Sequence, residues 1–99
     1  MNMQAMLRQA QNLQKEMMKT KEEIDKMDFT ATSSFVTVKV NGKKEILDVK
    51  IDIDKDFDIS DVEILEEMVQ IATNEALKKV DKETEHKMGK YSSMMPGLF

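Results

Sequence analysis

Residues 3 to 27 place apolar side chains at alternating spacings of three and four. Met3, Ala10, Met17 and Ile24 hold one heptad position, and Met6, Leu13, Thr20 and Met27 hold the other, with Thr20 the one polar member. Such a repeat, free of Gly and Pro, predicts a long amphipathic helix over 3–27, its stripe widened by Leu7 and Met18. A helix of about 25 residues is ~40 Å long at 1.5 Å per residue. A compact domain of about 100 residues has a radius of gyration near ~13 Å. The helix therefore overruns any globule that a chain of 99 residues can build.

After residue 27 the period changes to two. Phe29 and Ala31 alternate with Thr30 and Thr32, and Val36, Val38 and Val40 alternate with Thr37, Lys39 and Asn41. Asn41-Gly42 is a hairpin signal, because both residues tolerate positive φ. Leu47, Val49, Ile51 and Ile53 alternate with Asp48, Lys50, Asp52 and Asp54. Three antiparallel strands are predicted at 28–33, 35–41 and 45–53. Ser60 with Glu63 reads as a capping box, with Asp61 in the first turn, opening a helix from 61 to about 88. Ile64, Leu65, Met68, Val69, Ala72, Ala76 and Val80 form its apolar stripe, and Gly89 is a plausible stop. The fold class is α+β, in the order α-β-β-β-α. It forms a single domain over 1–90 followed by a mobile tail at 91–99.

Two overlong helices must project beyond the sheet, pairing through their stripes. Three strands leave two open edges, and an isologous homodimer joined through the sheets resolves both problems. The first helix runs into the sheet and the last runs out of it. The projecting tip therefore carries the start of one and the end of the other. From Asp61 to Glu75 the last helix has five carboxylates and no base, net −5; from Lys78 to Lys90 it has five lysines against Asp81, Glu83 and Glu85, net +2. The basic set expected to meet a polyanion is Arg8, Lys15, Lys78, Lys79, Lys82, Lys87 and Lys90, with hairpin residues Lys43 and Lys44 expected far from it. The bland alternative is that these lysines only complement the helix macrodipole. The overall charge of −4 argues against nucleic acid as a partner, so the distribution of charge carries the case.

Other chemistries find little footing. The chain has no Cys, which excludes disulfides, thiol catalysis and thiolate metal sites and fits a reducing compartment. No apolar run approaches ~18 residues, so no membrane span is expected. The first residues lack the basic start and apolar stretch of a signal peptide. A cytoplasmic location is expected. Asp52 to Glu63 matches a calcium loop at positions 1, 3, 5 and 12 but has Phe57 where the sharp turn needs Gly, and it follows a strand. No metal or cofactor is expected. His86 reads as solvated, Ser92 and Ser93 fall in the expected tail, and only three glycines exist, too dispersed for a phosphate loop. No enzyme is expected. The ten methionines read as core filler or as an adaptable contact surface, such as arms gripping a partner protein's helix in the manner of a chaperone or adaptor.

Met6-Leu7-Arg8-Gln9-Ala10-Gln11 with Leu13-Gln14, Met17 and Glu22-Glu23-Ile24 resembles the first helix of the YbaB/EbfC family of bacterial nucleoid-associated proteins. Val38-Lys39-Val40-Asn41-Gly42 with Ile46 and Val49-Lys50-Ile51-Asp52 resembles its hairpin. Leu65-Glu66-Glu67-Met68-Val69 with Ala72 and Asn74-Glu75-Ala76 resembles its last helix, and Met95-Pro96-Gly97 its tail. The resemblance implies the α-β-β-β-α fold, a tweezer-like homodimer, double-stranded DNA binding by the projecting helices in the nucleoid, and no enzymatic activity. Replication or recombination proteins are implied as possible neighbours. The chain departs from the family at Thr32-Ser33-Ser34-Phe35, where glycines are usual, and at Ile53, where Pro is usual.

Overall fold

The computed structural model describes residues 2–94. Helix α1, Met3–Asp25, begins where the Asn2 side chain accepts the Ala5 N–H at 2.7 Å, satisfying one of the orphan amides of the first turn. It ends two residues short of the predicted limit, because the Lys26 and Met27 amides close back on Glu23 and Ile24 and turn the chain into the sheet. Strands β1 (Asp28–Ser33), β2 (Val36–Asn41) and β3 (Ile46–Ile51) form one antiparallel sheet in the order β1-β2-β3. A 3-10 turn, Ile59–Asp61, leads into α2, Val62–Met94. The element order is the α-β-β-β-α expected from periodicity.

The details depart from expectation at four places. Asp58, not Ser60, caps the entry to α2. Its carboxylate accepts the Ile59 N–H at 2.6 Å, and Asp61 reaches back to the Asp58 N–H at 3.0 Å. In the hairpin the positive φ falls on Lys44 (66°), not on Asn41 or Gly42. Asn41 instead organises a longer loop by accepting the Lys43 and Glu45 amides. A bulge between Lys39 and Val40 then sets Ile46, rather than Leu47, opposite Val40. Gly89 does not stop α2. Met88 and Tyr91, both buried against Ile24 of α1, hold the helix together past it. Burial of two large side chains outweighs the roughly 1 kcal/mol that Gly costs inside a helix. Of the tail expected to be mobile, residues 95–99, with the Met95-Pro96-Gly97 motif, lie outside the described residues.

Among the described residues there are two separate cores. In the first, Phe29, Ala31, Val36, Val38 and Val40 face Ala72, Ala76 and Val80 of α2. In the second, Ile24, Met88 and Tyr91 join α1 to the end of α2, with Leu13 and Met17 packed alongside. Gly42 ties the two together, since a Cβ there would stand 1.8 Å from the Ile24 carbonyl oxygen. The molecule is correspondingly drawn out, 72 × 20 × 14 Å, with a radius of gyration of 19.8 Å.

Candidate nucleic-acid interface

Residues 3–12 of α1 are all exposed, and Leu13 is the first with any substantial cover. About three turns of α1 therefore extend past the described end of α2, with Met3 80%, Met6 54% and Leu7 61% exposed. The opposite end of the molecule is acidic. Residues 52–67 carry eight carboxylates and one lysine, net −7, around a depression of about 400 Å³ lined by Phe35, Ile53, Phe57 and Ile64. Three carboxylates of the calcium-like loop bind backbone instead. Asp54 accepts the Asp56 N–H, and Asp58 and Asp61 cap the turn.

The seven predicted basic residues do not gather at one tip. Arg8 sits in the exposed first turns of α1, and Lys15 lies between the half-buried Leu13 and Met17. Lys87 and Lys90 flank the arm core on α2. Lys78, Lys79 and Lys82 lie lower, where α2 leaves the sheet. There Lys79 donates to the Thr30 carbonyl of β1 at 2.6 Å, and Lys78 pairs with Glu75 at 3.5 Å. The hairpin is not remote from this group, because Lys44 forms a 2.6 Å ion pair with Asp81, between Lys79 and Lys82. The last helix leans on the hairpin where it clears the sheet, a long-range contact that spacing does not reveal. Arg8, Lys15 and Lys82 make no ion pair or hydrogen bond among the described residues, whereas Lys87 pairs with Glu83 at 3.3 Å.

His86, read from the sequence as solvated, is exposed on α2. Where α1 crosses α2, a cleft of about 290 Å³ is lined by Thr20 and Glu23 from one helix and His86, Lys87 and Lys90 from the other. No motif surrounds His86; only the crossing brings it to Thr20 and Glu23.

The model of the YbaB/EbfC DNA-binding family matches residues 1–95. The chain belongs to that family. It is 42% identical to a nucleoid-associated protein of Clostridium novyi, over 100% of this chain and 90% of that protein. It is likewise 42% identical to one of Enterococcus faecalis, over 98% and 94%. A nucleoid-associated protein of Bacillus licheniformis is 51% identical over 75 residues, covering 74% of this chain and 69% of that one. The crystal structure of the uncharacterised Helicobacter pylori protein HP0035 superposes with a TM-score of 0.74 over 92% of this chain and 97% of that one, at 22% identity, and shares the fold. In the β1–β2 turn Ser34 takes φ 53°, a left-handed conformation that Gly adopts without strain. Among the described residues no helix is long and apolar enough to cross a membrane.

Proposed function

We propose that this YbaB/EbfC member binds double-stranded DNA as a homodimer, mainly through phosphate contacts made by lysines along its paired-helix arms. The observation that carries the reading is the polarity of α2. Its first half and the preceding loop are strongly acidic, and its second half carries Lys78, Lys79, Lys82, Lys87 and Lys90 over a rise of about 18 Å at 1.5 Å per residue. A duplex would be drawn to the arms and repelled from the other end. Family membership supports DNA as the polyanion. Lysine is a flexible point charge, which favours backbone contacts over base reading.

Dimerisation is supported by the bare face of β3. Helix α2 covers β1 and β2 alone, so Ile46, Val49 and Ile51 remain 55%, 42% and 44% exposed on an open edge strand. A second copy is the partner that buries such a face symmetrically. Light scattering should return twice the chain mass of 11.4 kDa at micromolar concentration; a monomer there refutes the dimer. If each arm neutralises about three phosphates, log affinity for a duplex should fall with log salt at a slope near −5. A slope near zero refutes the phosphate reading.

The exposure of Met3, Met6 and Leu7 favours a second reading, in which the arms grip an apolar partner helix. Changing Met3, Met6 and Leu7 to Gln leaves DNA affinity intact under the first reading and removes binding under the second.

A further inference from the structure

We propose that the first turns of α1 in one molecule dock into the acidic depression at the sheet end of another, joining copies of this chain end to end. The contact uses none of Ile46, Val49 and Ile51, and it rests on neither the DNA reading nor the symmetric dimer. The receiving surface is the depression of about 400 Å³. Phe35 and Phe57, both half-buried, stand edge to face with ring centroids 6.3 Å apart and form its aromatic floor. Ile53 and Ile64 flank the floor, both about half exposed, and Ile59 beside it is 86% exposed. The rim is Asp52, Asp54, Asp56 and Asp61. Asp54 and Asp61 accept backbone amides, whereas the Asp52 and Asp56 carboxylates make no hydrogen bond or ion pair among the described residues. An apolar floor inside a rim of carboxylates fits a ligand that is apolar at its centre and cationic at its edge.

The start of α1 has that character. Residues 2–15 contain no carboxylate side chain, and Arg8 and Lys15 give them a charge of +2. Neither cation has a partner among the described residues, and Met3, Met6 and Leu7 are exposed beside them. Gln4, Arg8, Gln11 and Lys15 follow one another at spacings of four, three and four, so they line one face of the helix, with Met3 and Leu7 along its border. Arg8 and Lys15 stand about 10 Å apart along the axis, which lets them straddle the depression while an apolar side chain enters it. Methionine is unbranched and adapts to an irregular gap of this kind. A single molecule does not make this contact with itself, because the two surfaces lie toward opposite ends of a 72 Å rod. The two patches differ, so each docking leaves one α1 start and one depression free, and copies add in rows unless the rotation closes a ring.

The test follows the average mass of the full chain by light scattering from micromolar to millimolar concentration. In about 0.05 M salt the wild type should climb past twice the chain mass without a plateau, and about 0.5 M salt should weaken this association roughly tenfold. Two charge-reversed proteins locate the contact. One carries Arg8→Glu and Lys15→Glu, so both of its surfaces are acidic. The other carries Asp52→Lys and Asp56→Lys, so both of its surfaces are basic. Each alone should stop at or below twice the chain mass, and an equal mixture should climb again, because each α1 start then meets a depression of opposite charge. Recovery in the mixture also shows that both proteins are folded. A wild type that never passes twice the chain mass overturns the inference and leaves the depression to a partner of other sequence. If the Arg8/Lys15 protein still assembles alone, the depression packs on its own counterpart; if the Asp52/Asp56 protein does, the α1 starts pack on each other. Either result overturns the inference, as does a mixture that fails to climb.

Discussion

Single atoms decide several features of the chain. Gly42 is buried where the hairpin meets the end of α1, and an added methyl would collide with backbone, not with a yielding side chain. Gly42→Ala should destabilise by roughly 1–3 kcal/mol in urea unfolding, as overpacked sites do. Gly89 is the opposite case. Nothing lies within 4 Å of a Cβ built there, and it stands inside α2. Gly89→Ala should therefore stabilise by about 0.5–1 kcal/mol, read as a raised urea midpoint at unchanged slope. Ser34 holds φ 53° at the β1–β2 turn, so Ser34→Gly should also gain a fraction of the ~1–2 kcal/mol that a left-handed backbone costs an L-residue. The three substitutions separate close approach, helix propensity and backbone strain, which composition alone would merge.

The two edges of the sheet differ as elements. The Asp52 N–H donates to the Phe35 carbonyl, so odd residues of β2 turn their backbone groups toward β3 and even ones toward β1. Thr30 stands opposite the odd residue Lys39, and its carbonyl therefore points out of the open edge of β1. Lys79 reaches over from α2 and donates to it, a charged cover of the kind that discourages strand addition. The β3 edge has an apolar face instead. Lys79→Ala should increase concentration-dependent association in sedimentation, with little change in fold. The arm is held by a second element-scale contact, Tyr91 against Ile24 and Thr20. Tyr91→Ala should cost about 3–5 kcal/mol of packing at that buried site. It should also speed amide exchange selectively in α1, because the sheet core does not include this cluster.

At the scale of the molecule, carboxylates crowd one end of a 72 Å rod, while the lysines of α2 are spread from the sheet out along the arm. A net charge of −4 conceals this, since an even distribution and a polar one give the same sum. Two cores, one on the sheet and one on the arm, let the helices stay longer than a compact domain of this size would hold. Salt should therefore act unevenly: raising it weakens attraction of a polyanion to the arms and relieves repulsion among the carboxylates of residues 52–67. Urea midpoints should rise between low and moderate salt, and a fall would place the dominant charge effect in the surface ion pairs instead.

Element type and order were legible because they depend on local periodicity. The heptad of α1, the alternation of Val36, Val38 and Val40, and the stripe from Leu65 to Val80 each declare one buried face, and that face requires a regular element. Exact ends were less legible. Asp58 and Ser60 are both competent caps, and only the path of the chain out of β3 chooses between them. Gly89 reads as a stop in isolation, and only the burial of Met88 and Tyr91 on α1 carries the helix across it. The basic residues proposed for the interface can be picked out one by one from charge. Their grouping cannot, because Lys79 turns to Thr30 and Lys44 meets Asp81 through contacts between residues distant in the chain. His86 shows the limit most plainly. Its chemistry is written in the sequence, but its cleft exists only because α1 and α2 cross there, and helix crossing is set by packing rather than by neighbouring residues.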